Sequence, residues 1–186
     1  MTAPTESSQD LKIRKAIRAD AEEICEIHNE AIVEGIATFE TESRTESQCC
    51  KWITEHDERH PILVAVRNSV DEKWRNKEDV VQGWASITPY SSRLCYSGVG
   101  EFSIYVKHGF RGRGVGKKLM IELIQEAGRL SYWKLISRIF SFNVASRNLC
   151  KSCGFREIGF YEKHGKLNGK WIDTIIVERL IHENLR

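Results

Sequence analysis

IYVKHGFRGRGVGKK, residues 104–118, runs through three kinds of chain in fifteen positions. Up to Val106 the pattern alternates: Phe102, Ile104 and Val106 share one face of a strand, and Glu101, Ser103 and Tyr105 share the other. Beyond the glycines, Val115, Leu119, Leu123 and Ala127 recur at helical spacing, with Met120 and Ile124 beside that stripe. Between them lies Arg111-Gly112-Arg113-Gly114-Val115-Gly116. A helix N-terminus exposes unpaired N–H groups and the positive end of the helix dipole, so its backbone binds anions. Glycines let the chain pass close to a phosphate that a Cβ would keep away. Arg111, Arg113, Lys117 and Lys118 add positive charge. The chemistry indicated is a diphosphate held by backbone amides.

Two common phosphate loops do not fit this string. A Walker A loop needs Ser or Thr after its Gly-Lys, but Lys117 is followed by Lys118, and Arg111 stands where the first glycine belongs. The dinucleotide fingerprint, counted from Gly112 and Gly114, requires a third glycine where Lys117 stands. Arg111-x-x-Gly114-x-Gly116 is what remains. RG-rich nucleic-acid binding needs repeats and stacking aromatics, which are missing.

Outward from this unit, strands and helices alternate. Leu11, Ile13 and Ile17 mark a short opening strand, and Asp20 with Glu23 predicts a capped helix running through Val33. A second helix is expected over Glu46–Glu58, stopped by His60-Pro61, because the residue before proline avoids helical geometry. Strands are predicted at Ile62–Val66, Val80–Thr88, Leu135–Phe140, Phe155–Tyr161 and Trp171–Ile181. Asn68–Asp79 reads as a charged, mobile hairpin loop, and Lys163-His164-Gly165-Lys166 as a hairpin turn. A short helix over Ala145–Cys153 ends at Gly154. The class is α/β (mixed α+β), mostly antiparallel, with one central strand–loop–helix unit.

Composition narrows the function. The chain has 186 residues, with 28 basic and 26 acidic side chains for a net charge of +2, too balanced for a general nucleic-acid or membrane binder. Mean hydropathy is -0.41, and no apolar run approaches the roughly 20 residues of a membrane helix. Residues 1–10 read as a flexible polar tail without secretory character, and 11–186 as a single domain. The 6 cysteines are scattered, and Cys150-x-x-Cys153 has no second pair to complete a tetrahedral zinc site, so no metal is expected. Reduced, structural thiols and a cytoplasmic location are the expectation.

Arg111-x-x-Gly114-x-Gly116 resembles the coenzyme A loop of the GNAT acetyltransferases. Ile27-His28-Asn29-Glu30-Ala31-Ile32 and Ala37-Thr38-Phe39-Glu40 resemble the first-helix and substrate-loop segments of the phosphinothricin and arsinothricin N-acetyltransferase group. Gly100 to Val106 resembles its central strand, and Asn143-x-x-Ser146, Leu149, Gly154-Phe155 and Gly169-Lys170-Trp171-x-Asp173 match as well. The resemblance covers roughly residues 11 to 181.

It implies the GNAT fold, a central, mostly antiparallel twisted sheet flanked by helices, with acetyl-CoA as co-substrate. Ile104, Tyr105 and Val106 would pair with the pantetheine arm through their backbone. Arg111, Gly112, Arg113, Gly114, Val115, Gly116 and Lys117 would hold the diphosphate, and Asn143 and Ser152 would contact coenzyme A further along. Asn143 also reads as a helix cap, and Ser152 as a helix-packing residue. Acetyl transfer needs a neutral amine, so a base that takes the amine proton is useful, and Glu101 is the candidate. Arg93 and Tyr96 fall where relatives place substrate residues, and Phe39 and Trp171 are candidates for the pocket wall. Arg93 reads equally as an exposed loop arginine.

Two positions depart from the group: Ser91 where relatives carry a second arginine, and Cys150 where many carry histidine. The resemblance also implies a homodimer and a small amine substrate, with neither nucleic acid nor membrane as partner. Acetylation of protein N-termini or lysines, and non-catalytic coenzyme A binding, remain as rival expectations.

Overall fold

The computed structural model describes residues 11–67 and 79–185. The expectations for 1–10, and for 68–79 apart from Asp79, lie outside those residues. The described chain forms strands β1 (Lys12–Lys15), β2 (Ile62–Arg67), β3 (Val80–Pro89), β4 (Val99–Val106), β5 (Lys134–Phe140), β6 (Arg156–Leu167) and β7 (Lys170–Leu180). Its helices are α1 (Ala21–Glu34), α2 (Glu46–Glu55), α3 (Val115–Arg129) and α4 (Val144–Ser152). The seven strands make one sheet, ordered β1-β2-β3-β4-β5-β7-β6, in which only β4 and β5 run parallel.

At β2 both faces of the sheet are covered, which explains its continuous apolar run. Ile62, Val64 and Val66 pack with Ile24, Ile27, Cys49 and Ile53 of α1 and α2. Leu63 and Ala65 turn the other way, into a cluster with Leu119, Met120 and Leu123 of α3. These three α3 side chains are fully buried, each contributing about 1.5–3 kcal/mol of transfer free energy. Cys150 and Cys153 both point into that cluster as free thiols, one helical turn apart.

Three local expectations are corrected. Asp20 precedes α1 but accepts no cap bond there; its carboxylate takes Arg14 at 2.7 and 2.9 Å and the Ile17 N–H at 2.8 Å, so an ion pair wins over the capping box. Helix α2 stops at Glu55, not Glu58, with His56 already extended. Lys163–Lys166 lies inside β6, and the chain turns at Asn168-Gly169, both at positive φ between Leu167 and Lys170. That is the two-residue turn an Asn-Gly pair favours, because both residues tolerate left-handed backbone.

One feature of register makes the site. β4 pairs with β5 only from Val99 to Glu101, opposite Lys134 to Ile136. Beyond that rung β4 follows β3 as far as Val106, while β5 follows β7 as far as Phe140, and the sheet splays open between them.

Candidate active site

The splay leaves backbone groups without a strand to pair with. Lys107 donates its N–H to Gln82 O and Tyr90 donates its N–H to Val99 O, so odd-numbered residues of β4 bond toward β3. Ile104 and Val106 therefore turn their N–H and C=O groups toward the opening. The Tyr105 backbone, expected to share in this, is on the β3 side.

The glycine loop closes one end of the opening. Gly112 and Gly114 have φ of 74° and 85°, and a Cβ on either would meet nothing within 4 Å. Backbone conformation and an open approach both favour glycine there. Gly116 differs: a Cβ there would come within 3.2 Å of Leu149, so this glycine lets α3 and α4 pack closely. Gly114 caps α3 without a side-chain bond, and the first intrahelical bond is from Lys118 N–H to Gly114 O. The N–H groups of Val115, Gly116 and Lys117 are free of helix partners, and Gly116 lies against Val106 at the end of β4.

The loop is tied down by α1. Glu26 takes Lys107 Nζ at 3.0 Å, Glu30 takes the His108 N–H at 2.9 Å, and Glu34 takes Arg111 Nη1 at 2.7 Å and lies 3.0 Å from His108 Nδ1. Acidic residues spaced four apart at a helix C-terminus oppose the dipole, and the loop cations compensate for it. Burial raises the Glu34 pKa, but hydrogen bonds from Arg111 and His108 outweigh it and hold the carboxyl below its usual range. Arg111, expected among the anion-binding cations, spends its guanidinium on Glu34 and on Val106 O at 3.0 Å. Arg113 lies over the Phe110 ring, while Lys117 is exposed.

At the far wall Asn143 caps α4, accepting from Ser146 N–H at 3.0 Å and donating to Ile36 O at 3.0 Å. Ser146, matched to the family in the sequence but given no role there, lines the narrow part of the cleft with Ile104, Ser137 and Cys150. Ser152 does not border the cleft and donates back to Leu149 O at 2.8 Å. Burial, then the neighbouring Cys153 and Glu157, push the Cys150 thiol up to about 12, so it stays protonated.

The wider part of the cleft, about 630 Å³, is bordered by Thr38, Phe39, Glu40, Glu101, Tyr105, Arg138, Phe140 and His164 among others. Parallel register puts Glu101, Ser103 and Tyr105 on the same sheet face as Ile136, Arg138 and Phe140. Glu101 and Arg138 meet there: Nε and Nη2 both donate to Glu101 Oε1, at 3.1 and 2.6 Å. The sequence carries one signal for Arg138, a cation in the middle of a mostly apolar strand.

Phe39 packs edge-on to Phe140 at 4.6 Å and lies over Gly165 of β6. Trp171 is exposed beneath Lys166, away from the cleft. Arg93 and Tyr96 sit in the exposed connection between β3 and β4, with Tyr96 edge-on to Tyr90, and do not border the cleft.

Behind the Thr38–Glu40 wall is a polar cluster that sequence reading missed. His28 of α1 is buried between Trp84 and Tyr105 with Nε2 3.2 Å from Glu40 Oε2. Arg44 grips the same carboxylate at 2.6 and 3.0 Å. Burial, then the Arg44 charge, lowers the His28 pKa against the opposing pull of Glu40. Burial also raises the Tyr105 phenol, the Glu40 charge adding to it and a hydrogen bond to Thr38 working against it.

A parallel strand pair that splays beside a glycine-rich helix start offers a ligand a free backbone edge and an anion-binding helix end. The GNAT acetyltransferase domain model matches residues 13–176, and the chain belongs to that family. It is 29% identical over 175 residues to the L-methionine sulfoximine/L-methionine sulfone acetyltransferase of Salmonella typhimurium, covering 94% of this chain and 96% of that one. Among solved structures it is similar to a GNAT phosphinothricin acetyltransferase from Sinorhizobium meliloti in complex with acetyl-CoA. That likeness has a TM-score of 0.81 at 28% identity, over 92% of this chain and 88% of that one. It is equally similar, at TM-score 0.81 and 29% identity over 91% and 99% of the two chains, to a ribosomal-protein-alanine N-acetyltransferase from Brucella melitensis.

Proposed function

We propose that this chain moves an acetyl group from acetyl-CoA to the α-amino group of a free amino acid or an amino-acid-like toxin. Phosphinothricin, arsinothricin and methionine sulfoximine are of that kind, and Glu101 accepts the amine proton. The observation that carries the reading is where Glu101 stands, on the last paired rung before the splay with its side chain in the wide cleft. Bound acetyl-CoA supplies an activated thioester carbonyl. The free N–H groups of Val115, Gly116 and Lys117, with Gly112 and Gly114 giving access, hold the diphosphate. Ile104 and Val106 pair with the amides of the pantetheine arm, and an N–H in the same opening polarises the carbonyl. An ammonium has no lone pair to attack with, and Glu101 takes its proton. Cys150, held as a thiol, does not compete as a base.

The likeness to the Brucella enzyme favours a protein N-terminus as the second reading. The exposed Ile158, Phe160 and Trp171 on the β6–β7 edge support a homodimer, and the free cysteines suit a reducing cytoplasm. Sedimentation at micromolar concentration should give the dimer; a monomer contradicts it.

Glu101→Gln keeps the shape and removes the base. Its kcat should fall by about 10²–10⁴-fold, roughly 3–5 kcal/mol of barrier, and recover partly as pH rises. Acetyl-CoA affinity should hold. If Glu101 only holds the ammonium, KM rises instead with little recovery at high pH. A wild-type rate across the pH range removes both roles from Glu101.

A further inference from the structure

We propose that Arg138 receives the α-carboxylate of the substrate, exchanging its ion pair with Glu101 for one with the ligand. The inference rests on the amino-acid reading above and adds the group that recognises the acid.

Three observations carry it. First, Arg138 is half-exposed on the cleft wall, side chain 49% accessible, although it sits on a strand whose other residues are mostly apolar. Second, both of its bonds go to one oxygen, Oε1 of Glu101. The outer guanidinium edge, Nη1 with the second Nη2 hydrogen, has no partner among the described residues, and neither has Oε2 of Glu101. Third, Ser91 and Arg93 do not border the cleft, which leaves Arg138 as the arginine that does among the described residues.

The arrangement matches a zwitterion. In an α-amino acid the nitrogen and the carboxyl carbon are both bonded to Cα, about 2.5 Å apart. Glu101 and Arg138 present opposite charges at similarly short separation on one sheet face. An ammonium at Oε2 and a carboxylate on the guanidinium's outer edge align the substrate's charges against the protein's. Planar guanidinium takes carboxylate bidentately. As Arg138 turns to the carboxylate, Oε1 is released and both Glu101 oxygens face the ammonium. A peptide N-terminus lacks this carboxylate, so the pair selects free amino acids.

The experiment compares L-methionine sulfone and phosphinothricin with the α-carboxamide of each, on wild type, Arg138→Met and Arg138→Lys. The amide's amine is the more readily deprotonated, so a preference for the acid does not come from amine basicity. Wild type should favour the acids at least about tenfold in kcat/KM, in line with a charged hydrogen-bonded pair. Arg138→Met should bring that ratio to within about threefold of one, mainly by raising KM for the acids, with Arg138→Lys between. Acetyl-CoA binding by calorimetry should be unchanged. An equal fall on acids and amides, or an unaltered ratio in Arg138→Met, overturns the assignment. Wild type that acetylates acids and amides alike refutes Arg138 while the amino-acid reading stands. Acetylation of peptides alone takes down both.

Discussion

The two ends of the cleft are made of different materials. The glycine end is backbone: the free N–H groups at the start of α3 and the edge of β4 that no strand pairs, with side chains serving mainly to anchor it to α1. The amine end is side chain: Phe39 and Glu40 after α1, Glu101 and Tyr105 on β4, Arg138 and Phe140 on β5, and His164 on β6. A backbone site is written as a local string, because glycine positions and a helix start are contiguous in sequence. A side-chain site is assembled by register between strands far apart in the chain. Substitutions at the first end should therefore act on one ligand through geometry, and at the second through charge.

Gly114→Val should be the largest break at the glycine end. A β-branched residue at φ 85° strains the backbone by about 1–2 kcal/mol, and its side chain fills the open space that the proposed function gives to the diphosphate. The acetyl-CoA KM should rise at least about tenfold. With the amine KM little changed, the two ends are energetically separate; unchanged cofactor affinity removes the backbone site.

His28→Gln should give a smaller effect, on stability rather than binding. Burial keeps the His28 pKa below its ordinary value, so the unfolded chain takes up a proton at higher pH than the folded one. The stability it contributes is present above the unfolded pKa of about 6.5 and is lost as pH falls through it toward the lower folded value. Urea midpoints of wild type should drop between pH 7.5 and 5.5, and those of His28→Gln should drop less. Parallel declines would show that His28 is not the titrating group behind the Thr38–Glu40 wall.

Much of the fold was legible. The strand, loop and helix around residues 104–118, the helical stripe of α3 and the mostly antiparallel sheet follow from period-2 and period-3.6 patterns. The Asn168-Gly169 turn was equally readable, but the basic tract at Lys163–Lys166 drew the turn to itself; in the structure that tract is a bulged part of β6. Asp20 shows the limit of local capping signals, since Arg14 from β1 claims the carboxylate that would cap α1. Arg138 could not be placed beside Glu101 without the β4–β5 register. His28 could not be given Glu40 without the path of the chain after α1, which brings the carboxylate back over the helix. Ser152, chosen by resemblance, donates its hydroxyl to Leu149 O of its own helix.

The central claim is that a free amino acid is the acetyl acceptor. Its direct test is turnover of acetyl-CoA by the wild-type chain over phosphinothricin, arsinothricin, methionine sulfoximine, methionine sulfone and short peptides, with each product's mass read for one added acetyl group. Mono-acetylated amino acids, formed with kcat/KM at least about tenfold above any peptide, are the predicted result. Acetylated peptides without acetylated amino acids would contradict it.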